Sequence, residues 1–116
     1  MKFKDIREAK LMLINCILMH IRANKQGDVK TVNKNSDKIW KIKNYIEKNY
    51  GLEELKDLLN HDNDEVLVWI AQFLLPVYEE IAIKVLREIE NKNIPHCSFN
   101  ARVIISEWTG EPLKFD

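Results

Sequence analysis

Apolar positions recur at three- and four-residue spacing along most of the chain, and no two-residue alternation persists for more than a few residues, so the pattern predicts helices throughout. In the first of them Phe3, Ile6, Lys10, Leu13, Ile17 and Ile21 lie close to one side, while Leu11, Ile14, Leu18 and Met19 add further apolar faces. A helix that is apolar most of the way round has neighbours on several sides; it is expected at the centre of the core, and otherwise at an interface. Cys16 within it reads as a small buried hydrophobe. The stretch Asn24 to Asp37 is polar, carries Gly27 and lacks a sustained period, which makes it the longest candidate loop, its middle able to form a short helical turn. Ser36 or Asp37 would then cap a second helix, basic and amphipathic. Its Ile39, Ile42, Tyr45, Ile46 and Asn49 share a side ringed by Lys38, Lys41, Lys43 and Lys48, and Gly51 stands in the C-terminal cap position.

The second half opens with a short helix in which Leu52, Leu55, Leu58 and Leu59 repeat at three and four residues and Glu53, Glu54 and Asp57 face outward. Asn60 to Asp64 is a polar corner, in which Asp62 or Asp64 is the expected N-cap of the next helix. That helix has one stripe of Val66, Trp69, Ile70 and Phe73 and another of Leu67, Ala71, Leu74 and Leu75, the pattern of a helix sandwiched between two neighbours. Pro76 closes it by removing an N–H and disfavouring helical geometry at Leu75. Tyr78 to Asn91 reads as a helix with Ile81, Ala82, Val85, Leu86 and Ile89 inward. After a loop from Lys92 to Cys97, Ser98 would cap a last helix, with Ala101, Ile104, Ile105 and Trp108 buried and Gly110 as its stop. The expected fold is all-α, a single domain of 116 residues built from stacked antiparallel helix pairs: a right-handed α-α superhelix of five to six helices, with a closed helical bundle as the alternative.

Composition changes this picture little; charge changes it more. With 46% apolar and 31% charged residues and only three Gly and three Pro, the chain suits an ordered helical domain. The first apolar run is too short and too interrupted for a spanning helix or a secretory signal. Two cysteines make no disulfide framework, so a cytoplasmic protein with reduced thiols is expected. Although the net charge is zero, residues 1 to 50 hold 12 Lys plus Arg against 5 Asp plus Glu, and residues 51 to 116 hold 6 against 13. A basic half and an acidic half steer oppositely charged partners.

Candidate chemistry is sparse. His61, Asp62, Asp64 and Glu65 gather metal-ligand types, but the run lacks the Gly and the distal Glu of a calcium loop and stands where a helix needs its cap. His96 and Cys97 are adjacent, a poor arrangement for a base and its nucleophile, and no third orienting group is evident. Neither a metal, nor a cofactor, nor a catalytic set is expected. Trp69 and Trp108 fall on core stripes, whereas Trp40 falls off the Ile39, Ile42, Ile46 stripe and is expected to be exposed.

LLNHDNDEVLVWIAQFLLPVYEEIAIKVLREI, followed by SFNARVIISEWTGEPL, resembles a HEAT-like bacterial family of uncharacterised function: a leucine pair, a His/Asp corner, a Trp- and Ala-bearing helix, a proline break and a final Ala…Trp…Gly helix. The resemblance covers about Leu52 to Leu113, with NKNSDKIWKI a looser match to that family's second helix. Leu67 stands where such repeats commonly carry an arginine, which removes that residue's bracing of the corner. The resemblance implies a superhelix of helix pairs and a binding module in place of an enzyme; similar proteins encoded beside toxin genes suggest an immunity protein. Its partner would be a basic, nuclease-type toxin domain from a neighbouring gene, bound one-to-one by a monomer. The expected contacts are the acids at helix starts and corners, Glu53, Glu54, Asp57, Asp62, Asp64, Glu65, Glu79 and Glu80, with Tyr78 as an aromatic anchor. His61 and Trp40 complete the set. No membrane is involved in this reading. Binding of nucleic acid by Lys34, Lys38, Lys41, Lys43 and Trp40 is the alternative, weakened by the lack of arginine in that helix, and a scaffold that inhibits nothing is the third option.

Overall fold

Asp5 opens the first helix, α1 (Ile6–Lys25), by accepting the Glu8 backbone N–H on its carboxylate at 2.9 Å. In the computed structural model, which describes residues 1–113, every regular element among the described residues is helical, and the chain divides into two units, Met1–Lys56 and Asp57–Asp116.

In the first unit α1 packs along α2 (Val29–Asn49). Ala9, Leu13, Cys16, Ile17 and Ile21 are buried on α1, and Ile39, Ile42 and Ile46 on α2. The corner between them is three residues long, not fourteen. Gly27 turns it at a φ of 71°, and the cap of α2 is Asp28, displacing the expected Ser36 or Asp37. Asp28 accepts from the Thr31 backbone N–H at 3.2 Å and from its hydroxyl at 2.7 Å. The expected loop is therefore the first two turns of a helix. Val32, Asn35, Ile39, Ile42 and Ile46 keep the three-four spacing unbroken, but one member is an asparagine. It is nonetheless buried, because its side-chain amide donates to the Thr31 carbonyl one turn back at 2.9 Å.

Burial around α1 is narrower than its composition implies. Leu11 (63% exposed), Met12, Leu18 and Met19 (54% exposed) remain open to solvent, so α1 buries one side and leaves the other uncovered. Past Tyr50 the chain turns through Gly51, at a φ of 113° that a side chain would strain, and Leu52–Asn60 forms a 3-10 helix with Leu52 and Leu55 buried.

In the second unit α3 (Asp64–Leu74) packs against both α4 (Glu79–Glu90) and α5 (Cys97–Thr109), which also pack against each other. Val66, Ile70, Ala71, Phe73 and Leu74 meet a core completed by Leu86, Ile89, Ala101 and Ile105. Trp69 is half-buried against Phe73, with ring centroids 5.9 Å apart. The cap of α3 is Asn63, not Asp62 or Asp64: its side-chain oxygen accepts from the Glu65 and Val66 backbone N–H groups at 2.9 and 3.2 Å. Asp62 is exposed, and Asp64 lies inside the first turn, where its charge favours the helix N-terminus.

Pro76 ends α3 as expected, and Gly110, at a φ of 78°, ends α5. The start of α5 differs from expectation. Cys97 is its first residue and buried, His96 precedes it at a φ of 64°, and Ser98 makes no cap. The Ser98 hydroxyl instead donates to the Ile89 carbonyl at 2.6 Å and accepts the Ile94 N–H at 2.8 Å, clamping the α4–α5 connection. Only part of the expected α5 stripe is core: Ala101 and Ile105 are buried, Ile104 is half-buried, and Trp108 is exposed.

The cap assignment is directly testable. Asn63→Ala should lower unfolding stability by about 0.5 to 2 kcal/mol in a denaturant titration, whereas Asp62→Ala should change it by less than about 0.5 kcal/mol.

Candidate functional site

Charge divides as the structure does. The first unit carries 13 Lys plus Arg against 7 Asp plus Glu, and the second carries 5 against 11. Within the second unit, the stretch from Asp57 to Ile83 holds six carboxylates and no Lys or Arg.

The expected contact set falls on both units. Trp40, Glu53 and Glu54 belong to the first; Asp57, His61, Asp62, Asp64, Glu65, Tyr78, Glu79 and Glu80 belong to the second. In the second unit Asp57, Asp62, Glu79 and Glu80 are exposed. Asp64 is ion-paired with Lys92 at 2.9 Å, which takes it partly out of use for a partner. Glu65 is half-buried, and so is Tyr78 at the N-terminus of α4. His61 has a structural role: its Nδ1 accepts the Asn63 backbone N–H at 3.0 Å, with the Asp62 carboxylate 3.6 Å away. In the first unit the Glu53 carboxylate folds back over Gly51, occupying the place a Cβ there would take. Trp40 is 39% exposed, as its register implies, with the Lys43 ammonium 5.9 Å from its ring centroid.

Cys97 is unsuited to nucleophilic work. Burial pushes its thiol up to about 11, and the Glu65 and Asp64 carboxylates push in the same direction. Such a thiol is protonated at neutral pH, and His96 beside it in sequence is exposed while Cys97 is buried. Cys16 is also raised, chiefly by burial. Among the described residues no group of three or more His, Cys, Asp and Glu is arranged to hold a metal ion.

Two surface features were not legible from spacing. In the first unit a groove of about 690 Å³ is lined by Lys2, Phe3, Lys41, Asn44, Tyr45 and Lys48, with the Phe3 and Tyr45 rings edge-to-face at 5.1 Å. The tip of the chain supplies one wall, and nothing in the first residues signals that they fold back on α2. In the second unit a cleft of about 490 Å³ runs beside α4 and α5. There Arg87 pairs with Glu111 at 3.3 Å and Arg102 with Glu90 at 3.3 Å, so both guanidinium groups already have carboxylate partners.

Among the described residues no helix is long and apolar enough to cross a membrane. Because the folded Cys97 pKa lies above the ordinary 9.0, the unfolded chain loses this proton first as pH rises. Its contribution to stability is thus complete below about pH 9 and lost on the way to about pH 11. The difference in stability between the native chain and Cys97→Ala should shrink across that window in parallel denaturant titrations. A difference that stays constant from pH 8 to about 11 would contradict the assignment. No protein-family model matches the chain, and neither a curated protein nor a solved structure matches it.

Proposed function

We propose that the chain is a protein-binding module that docks a basic partner on the acidic surface of its second unit. The observation that carries this reading is the unbroken acidic stretch from Asp57 to Ile83, with Asp57, Asp62, Glu79 and Glu80 exposed on it. Exposed carboxylates raise the association rate of a basic partner and select against acidic ones. Burial of the half-exposed Tyr78 beside Glu79 and Glu80 supplies an anchor of the kind that dominates interface energetics. In its finer form the module is an immunity protein with a HEAT-like helix stack, and the partner is a nuclease-type toxin from a neighbouring gene, covered at its active site. That form is supported by the resemblance of Leu52 to Leu113 to the HEAT-like family.

The test is a complex with the product of the adjacent gene. A stable one-to-one complex that abolishes the toxicity of that product supports the finer form; a harmless neighbour that forms no complex sinks it. Replacing Asp57, Asp62, Glu79 and Glu80 together by lysine should slow association by at least about tenfold at physiological salt while leaving the helical circular dichroism unchanged.

The basic groove of the first unit favours a second reading, binding of a nucleic acid. Lys2, Lys41 and Lys48 are placed for phosphates, and the Phe3 and Tyr45 rings offer stacking faces. Fluorescence anisotropy with single-stranded RNA should then show binding at low salt that weakens as salt rises and is lost in Lys41→Glu/Lys48→Glu. No binding at low salt ends this reading.

A further inference from the structure

The exposed face of α1 has an internal symmetry. Along the side of the helix turned away from its buried stripe stand Glu8, Leu11, Met12, Asn15, Leu18, Met19 and Arg22, all exposed. They follow a seven-residue repeat, with Glu8, Asn15 and Arg22 in one register and the two apolar pairs between them. Asn15 is the centre: Leu11 and Met19 are equidistant from it, as are Met12 and Leu18, and so are Glu8 and Arg22.

We propose that α1 pairs with the α1 of a second copy of this chain, antiparallel, about a two-fold axis through Asn15. In that arrangement each position faces the one equally far on the other side of Asn15. Leu11 then meets Met19 of the second copy and Met12 meets Leu18, so the four exposed apolar side chains on each copy are covered by apolar partners. Glu8 meets Arg22 at both ends of the seam. A parallel pairing would set Glu8 against Glu8 and Arg22 against Arg22, so the charges select the antiparallel direction. Asn15 meets itself. A carboxamide holds both a donor and an acceptor, so two of them across a two-fold satisfy each other, and a polar residue at such a position fixes the register of a seam that Leu and Met alone would leave free to slip.

This is also the reason a surface helix carries so much apolar area. Leu13, Ile17 and Ile21 already supply the stripe that packs within the unit. Two Leu and two Met on the opposite face add nothing to that core, and their exposure is a cost in water unless a partner covers them. The seam runs about 21 Å from Glu8 to Arg22, a short interface, so the dimer is expected to form in about the 1 to 100 µM range.

Sedimentation velocity of the full chain across that range should show a concentration-dependent monomer–dimer equilibrium. Glu8→Arg and Arg22→Glu, both surface changes that leave the core untouched, should each weaken dimerisation by at least about tenfold through like-charge contacts. The double variant Glu8→Arg/Arg22→Glu should restore it to within about threefold. Asn15→Cys should form a disulfide-linked dimer on mild oxidation, whereas the native chain, whose two cysteines are buried, should not. Glu8→Cys should not link to itself, because the two copies of position 8 lie at opposite ends of the seam. A chain that stays monomeric to the top of the range overturns the proposal. A dimer that ignores both charge reversals, or that the double variant fails to restore, overturns it equally, since the contact would then lie elsewhere.

Discussion

Burial of one aliphatic stripe per helix is the constraint on which the rest of this structure depends. In the first unit, Leu13, Ile17 and Ile21 of α1 and Ile39, Ile42 and Ile46 of α2 are withdrawn from water almost completely. In the second unit α3 gives up two stripes because it has two neighbours, α4 and α5. At about 25 cal/mol per Å² of apolar surface, these stripes dominate what opposes chain entropy. Caps and surface ion pairs such as Arg102–Glu90 contribute far less and act as punctuation and alignment.

Polar groups enter the interior only where the local backbone can satisfy them. Asn35 donates to the carbonyl one turn back, and Ser98 binds two backbone groups of the α4–α5 connection. His61 accepts a backbone N–H within its own corner. Each looked like a candidate for chemistry, a cap or a loop when read in sequence, and each serves the fold. The second unit offers an acidic stretch, the first a basic groove and the self-complementary face of α1.

Much of the fold was legible because spacing survives in the chain. The all-helical character of the described residues, the Pro76 break, the Gly51 and Gly110 stops, the packing of α3 against two neighbours and the exposed Trp40 follow from period and breakers. The errors have physical causes. One buried asparagine interrupted an otherwise regular stripe and hid the first two turns of α2. Three adjacent cap-forming residues, Asp62, Asn63 and Asp64, compete for one position, and only three-dimensional geometry selects Asn63. On α1 a count of apolar residues could not distinguish a helix surrounded by core from one that carries a second, exposed seam; the seven-residue spacing centred on Asn15 was the signal available. Among the candidate contacts, Asp57, Asp62, Glu79 and Glu80 are exposed as their corner and helix-start positions imply. Asp64 is paired with a lysine that comes from later in the chain, which spacing could not show.

If the acidic surface of the second unit is where a basic protein docks, its backbone amides should report the contact. The direct measurement is a titration of the isotopically labelled chain with the product of the adjacent gene, followed by amide chemical shifts. Perturbations concentrated on Asp57 to Asp62 and Tyr78 to Glu80, and lost when those acids are reversed, are the predicted result. Perturbations confined to Phe3, Lys41, Tyr45 and Lys48, with the acidic stretch silent, would contradict it.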